Sequence, residues 1–238
     1  MEKSKHSPKC NYVTSHCTCK KAEDNVEFEK SFKKKGINAQ RRYPNEYLIQ
    51  FLAHYYFPSR KRNEKKILEI GVGSGANSWM IAREGFDTYG IDNSKTGLKL
   101  CKKVHESWGV SVKLKLGTMR KLPYQNGFFD CIVDVVSMQH LNLEGHEETY
   151  NEIYRCLKKG GRFFSYHLEK STDYFDPKKG MVDNSTMRDF LGNGQACFLD
   201  SRQAENFLKS SGFKDISIGY NIRKKENIFE YLLIEAKK

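Results

Sequence analysis

Three glycines at alternate positions, Gly71, Gly73 and Gly75, follow a short apolar run and precede a helix-like stretch in "LEIGVGSGAN". Without side chains at these points the backbone can bend sharply, and a ligand can approach where a Cβ would collide. Glu69 stands at the mouth of this turn, and Asp92 closes the next apolar run. A carboxylate at that second position can accept hydrogen bonds from the two hydroxyls of a ribose, so the pair reads an adenosine-containing ligand. Gly71, Gly73 and Ala76 also satisfy the looser G-x-G-x-x-A pattern in which a helix N-terminus holds a pyrophosphate. Glu69 separates the two readings, because an anion there repels a diphosphate and attracts a cationic amino or sulfonium group.

The elements that must position these residues alternate. ILEI, TYGID, VKLKLG, FFDCIVDVVS and RFFSYHL read as strands, separated by the helical patterns NSWMIAREG, TGLKLCKKVHESWG and HEETYNEIYRCLKKGG. Continuous apolar strands bounded by helices imply parallel pairing with helices on both faces. Ahead of them, "PNEYLIQFLAHYYF" places Leu48, Phe51, Leu52 and Tyr55 on one helical face, with Pro44 in the first turn. Past His167 the segment 169–199 is weakly patterned and carries Tyr174, Phe175, Met181 and Phe190. A helix "SRQAENFLKSSG" ending at Gly212 follows, then "DISIGYNI" and "NIFEYLLIEAK" as a closing antiparallel hairpin. The predicted fold is α/β: a doubly wound, mostly parallel seven-stranded sheet with an antiparallel C-terminal hairpin and helices on both faces.

At 238 residues the chain suffices for one main domain, 26–238, after a basic tail over 1–25 that lacks apolar periodicity and is expected to have no fixed structure. No apolar run approaches the roughly 18 residues that a membrane span needs, and the polar, Lys-rich start is not a secretory signal, so a cytoplasmic location is expected. Seven cysteines, four of them scattered singly through patterned segments, read as reduced thiols. Cys10, Cys17 and Cys19, with His6 and His16 nearby, lack the paired C-x2-C spacing of a zinc knuckle, and no metal is expected. The net charge is +12, and residues 1–66 hold sixteen Lys and Arg against seven Asp and Glu. Such a basic arm suits RNA, DNA or an anionic membrane surface; a solvated tail is the plain alternative.

The linked motifs resemble those of the class I S-adenosylmethionine-dependent methyltransferases, in particular the small-molecule branch called type 11. "LEIGVGSG" is similar to the family's first motif and "YGIDNS" to its second. "GTMRKLPYQNGFFDCIV" resembles the segment G-D-A-x-x-L-P-F-x-D-x-S-F-D, and "EIYRCLKKGGRF" resembles E-x-x-R-V-L-K-P-G-G. The resemblance spans roughly residues 43–168 and implies S-adenosyl-L-methionine as cofactor. By position it implies that Glu69, Gly71 and Gly73 contact the methionyl part, Asp92 the ribose, and Asn93 the adenine edge. It sets Thr118, Met119 and Arg120 around the adenine ring, and Val135 and Val136 at the end of the fourth strand. Thr118 departs from the usual Asp, which removes charge assistance from one adenine contact. Lys159 stands where Pro is common.

Methyl transfer mainly needs alignment of donor and acceptor, and a hydroxyl acceptor also gains from proton removal. His140, just past the fourth strand, resembles a His common there in the family and is the candidate base; the alternative is a histidine that orients the loop. Tyr166 and His167, after the fifth strand, are expected in the acceptor pocket. Tyr43 is expected to close over the donor, with Arg41 or Arg42 on its carboxylate, and 169–199 to form an acceptor lid. The expected function is methyl transfer to oxygen or nitrogen of a small polar molecule, a sugar or sugar nucleotide being favoured. A tRNA methyltransferase using the basic N-terminal region and a non-catalytic partner protein with the same fold are the alternatives.

Overall fold

The computed structural model describes residues 26–172, 181–182, 196–224 and 228–238. The expectations for the basic tail, its cysteines and most of the lid segment, including Tyr174, Phe175 and Phe190, lie outside them. Seven strands form the central sheet: β1 (Lys66–Ile70), β2 (Asp87–Asp92), β3 (Lys113–Leu116), β4 (Phe129–Val135), β5 (Leu157–Leu168), β6 (Lys214–Lys224) and β7 (Ile228–Lys237). Their order is β3-β2-β1-β4-β5-β7-β6. The first five pair in parallel, while β7 runs antiparallel to β5 and β6 to β7. This is the predicted doubly wound sheet with its antiparallel closing hairpin. The order reverses between β1 and β4, and ligands of open α/β sheets bind at such a switch point, beyond the carboxyl ends of the strands.

Among the described residues six α-helices accompany the sheet: α1 (Val26–Lys35), α2 (Glu46–Tyr55), α3 (Ser78–Arg83), α4 (Lys95–Ser107), α5 (Leu143–Cys156) and α6 (Ser201–Ser211). One face of the sheet packs against α5 and α6 around Phe163, Tyr150, Leu208 and Leu232. The other packs against α2 and α3 around Phe51, Leu52, Ile81 and Phe164. Caps set the helix starts. Asn45 accepts from the amides of Tyr47 and Leu48, so Pro44 precedes the cap rather than sitting in the first turn. Ser94 and Asn142 cap α4 and α5, and α6 has a capping box from Asp200 and Gln203 and ends on left-handed Gly212. Cys101, Cys131, Cys156 and Cys197 are buried free thiols.

Helix α1 is absent from the periodicity reading. Its charged sequence hides a contact face that only α4 reveals: Phe32 is buried against Gly97, and the Glu29 carboxylate accepts from Ser94 Oγ at 2.6 Å, Thr96 N at 3.1 Å and Thr96 Oγ1 at 2.5 Å. These bonds hold the Glu29 carboxyl well below the usual range, at about 2. Met181–Val182 pairs with Ala196–Cys197 in a separate short ladder, so Met181 belongs to a strand rather than to a loop. Among the described residues no helix is long and apolar enough to cross a membrane.

Candidate functional site

The carboxyl ends of β1, β2 and β4 converge on the glycine turn. Gly71, Gly73 and Gly75 all have positive φ, at 63°, 52° and 87°. A Cβ at Gly71 would lie 2.1 Å from Ser137 Oγ, and one at Gly75 would lie 2.7 Å from both Cys101 Sγ and His105 Nε2. The glycines therefore answer two needs at once, left-handed backbone and close approach of neighbouring elements. Asp92 closes the turn from β2: its Oδ2 accepts from Gly73 N at 2.8 Å and its Oδ1 from Ser94 N at 2.8 Å. Burial pushes its carboxyl above the ordinary aspartate range.

Glu69 lies between Gly90 of β2 and Val133 of β4 and is 3% exposed. Its Oε1 accepts from Asn77 Nδ2 at 2.5 Å, while its Oε2 has no partner. Burial pushes this carboxyl up to about 7. A buried oxygen without a donor is a costly feature, and a cationic donor from a ligand removes the cost. Asn77 occupies the N-cap position of α3 but makes no capping bond. Its Oδ1 instead accepts from Arg41 Nη2 at 3.2 Å and Asn45 N at 3.0 Å. Gln40, from the turn after α1, reaches the glycines and accepts from Ser74 N at 2.8 Å and Ser74 Oγ at 3.0 Å. These orphaned, cationic and cradled groups fit the methionyl end of S-adenosylmethionine.

Asn93 is exposed next to Asp92. Thr118 Oγ1 accepts from Arg120 N at 3.2 Å, and the Met119 methyl lies 3.4 Å from where a Gly71 Cβ would stand. Arg120 donates from Nε to Glu148 of α5, which raises its already high pKa. Tyr43 is 65% exposed and lines a cleft with Arg41, Arg42, Ser74 and Ala76.

Beyond β4 the chain turns tightly. Val135 is buried in the core shared with α2, and Val136 has φ 56°, a strained value for a β-branched residue. Asp134, wholly buried, holds this turn: Oδ1 accepts from Ser137 N and Met138 N, each at 3.0 Å, and Oδ2 from Ser165 Oγ at 2.7 Å. Burial raises its carboxyl to about 6. Ser137 Oγ donates to the Gly71 carbonyl at 3.0 Å, which ties the turn to the glycines. His140 ends the 3-10 turn Met138–His140, and its ring meets Phe28 of α1 edge-on at 4.7 Å.

Tyr166 and His167, the residues expected at the acceptor, both have side chains packed within protein. Tyr166 is 5% exposed, stacks between Tyr47 and Tyr231, and accepts from Asn221 Nδ2 at 2.6 Å. His167 is fully buried, with Nδ1 2.9 Å from the Leu168 carbonyl and Nε2 3.0 Å from His146 Nε2. Strand alternation sends these neighbours to opposite faces of β5. The sequence reading also missed Gln40, Asn77, Asp134 and Ser137. Only Asp134 left a signal, an acid between the apolar residues at the end of β4; the others act through contacts 34 to 66 residues away or, for Asn77, by leaving an ordinary cap position.

Residues 67–161 match the family model of a methyltransferase domain. The sterol 24-C-methyltransferase of Pneumocystis carinii is 33% identical over 127 residues, 51% of this chain and 33% of its own length. The chain spans less than half the length of this and other curated relatives that it matches. A Thermotoga maritima S-adenosylmethionine-dependent methyltransferase, described as a possible histamine N-methyltransferase, superposes with TM-score 0.61 at 20% identity, covering 90% of this chain and 99% of that one. The Haemonchus contortus phosphoethanolamine N-methyltransferase 2 in complex with S-adenosyl-L-methionine superposes with TM-score 0.63 at 18% identity, covering 90% of this chain and 56% of that one. These two likenesses concern the fold.

Proposed function

We propose that this chain, which carries a class I S-adenosylmethionine-dependent methyltransferase domain, transfers a methyl group to an oxygen or nitrogen of a small polar acceptor. One observation carries the proposal: a fully buried Glu69 carboxylate keeps an unpartnered oxygen beside the cradle of Gly71 and Gly73. That oxygen suits the ammonium of an amino-acid end, and Asp92 offers carboxylate lone pairs to a ribose. When bound, the donor supplies a methyl carbon made electrophilic by its sulfonium. The chain's own work is then alignment and the handling of one proton. His140 is the group proposed to take that proton from a hydroxyl or amine, and Phe28 against its ring excludes water on one side. Asn93, Thr118, Met119 and Arg120 are proposed to border the adenine, and Tyr43 to close over the donor.

A sugar or sugar nucleotide remains the favoured acceptor within this reading, because segment 169–199 adds aromatic residues after the fifth strand. A cytoplasmic setting belongs to the same proposal and is supported by the free, buried thiols. Residues 26–238 are proposed to work as one domain.

A second reading has one specific support, the sterol methyltransferase relative at 33% identity: an isoprenoid or other apolar acceptor methylated on carbon. The separating experiment incubates the full chain with donor labelled in the methyl group and panels of sugars, amines, isoprenoids and RNA. Label in sugars or amines supports the main reading, label in isoprenoids replaces it with the second, and label in RNA alone defeats both. Binding of S-adenosylhomocysteine with no turnover on any panel would favour a non-catalytic partner.

A further inference from the structure

The segment between α1 and α2 crosses the glycine turn, and its side chains fill what a ligand would use. Gln40 Oε1 sits where Ser74 N–H and Ser74 O–H converge, at 2.8 and 3.0 Å. A Cβ on Gly73 would stand 2.3 Å from both terminal atoms of Gln40, so this carboxamide can lodge here only over a glycine. Two neighbouring groups are ionisable. The buried Oε2 of Glu69 makes no hydrogen bond of ordinary geometry, although Ser78 is near enough to favour its ionised form, and Arg41 presents its guanidinium to Asn77, the residue that also binds Glu69. Together the three positions offer an anion for an ammonium, and two converging donors with a cation for a carboxylate. That is the charge complement of an α-amino acid, with its carboxylate subsite taken by a neutral oxygen of the chain itself.

We infer that the Gln40 carboxamide is a built-in stand-in for the donor's carboxylate, holding the Ser74 donors until the donor displaces it, and that Arg41 is the cation that reads the incoming carboxylate. The inference rests on the proposed donor. An ionised carboxylate accepts from the same donors about twice as strongly as a neutral amide oxygen, so the exchange favours the ligand. The arrangement discriminates by charge: a donor analogue without the carboxylate gains nothing by displacing Gln40 and meets no partner in Arg41.

Calorimetric titration with S-adenosylmethionine, S-adenosylhomocysteine and decarboxylated S-adenosylmethionine tests this. Gln40→Ala should tighten the first two by about three- to tenfold, the worth of one or two modest hydrogen bonds, and leave the decarboxylated analogue unchanged. Gln40→Glu, which keeps the shape and adds charge, should weaken the carboxylate ligands and spare the analogue. Arg41→Ala should weaken S-adenosylmethionine by about tenfold and again spare the analogue. If the variants shift all three ligands in parallel, the inference is overturned while the donor assignment stands. If the unaltered chain binds none of the three, both fall.

Discussion

Asn77 donates from Nδ2 to Glu69 Oε1 at 2.5 Å and leaves the second oxygen of that buried carboxylate without a partner. The half-satisfied pair contributes little stability and suits a cationic ligand well. An unpaired buried charge is expensive, and a group in that position shifts its protonation instead.

Glu69 should therefore link pH to both stability and binding. The unfolded chain ionises this group near 4.5, whereas the folded chain keeps its proton up to about 7. Stability from this group is full below about 4.5 and is lost as pH rises toward 7, by about 3 kcal/mol at most. Glu69→Gln should thus unfold at a higher temperature than the unaltered protein above pH 7, with the advantage vanishing in acid. Donor binding should show the opposite trend, weakening as pH falls through about 7 and staying weak at every pH in the variant. Thermal unfolding with and without S-adenosylhomocysteine from pH 5 to 9 reads both effects; parallel curves for the two proteins would contradict the assignment.

Gly71→Ala should strain the junction of β1 and the β4 turn. Its φ of 63° disfavours any side chain, and the new Cβ would stand 2.4 Å from Ser137 Cβ. The expected loss is about 1–3 kcal/mol by chemical denaturation. Adding Ser137→Gly should restore part of it, since the collision goes and the backbone penalty stays. Full restoration, or none, would show that the two contributions have been misjudged.

His140→Ala should lower turnover of an oxygen or nitrogen acceptor by about a hundredfold or more while leaving S-adenosylhomocysteine affinity within twofold. Unchanged turnover would reduce His140 to a residue that orients its loop through Phe28.

His146 and His167 should make the fold acid-sensitive. Burial lowers their pKa values to about 4 and about 3, below the 6.5 of an exposed ring. The unfolded chain then binds protons that the folded chain refuses. Their contribution is present above about pH 6.5 and lost as pH falls below it. Replacing both with leucine should flatten the dependence of unfolding temperature on pH between 6.5 and 5, even if the variant is less stable overall. A slope equal to that of the unaltered protein would assign the acid sensitivity elsewhere.

Periodicity and glycine spacing alone determine the strand–helix alternation, the turn after β1 and the acid that closes β2. These are local properties: apolar runs, caps and φ values are set by neighbours a few residues apart. The parallel pairing of β1, β2 and β4, which brings their carboxyl ends together, follows from that alternation of strand and helix. Tertiary structure alone decides which side chains the turn meets. Gln40 arrives from a charged stretch with no readable period, Ser137 from 66 residues away, and Asn77 gives up its cap role for Glu69. It also decides burial, which encloses Tyr166 and His167 on opposite faces of β5. Such choices depend on distances between elements, and a one-dimensional pattern carries no record of those distances.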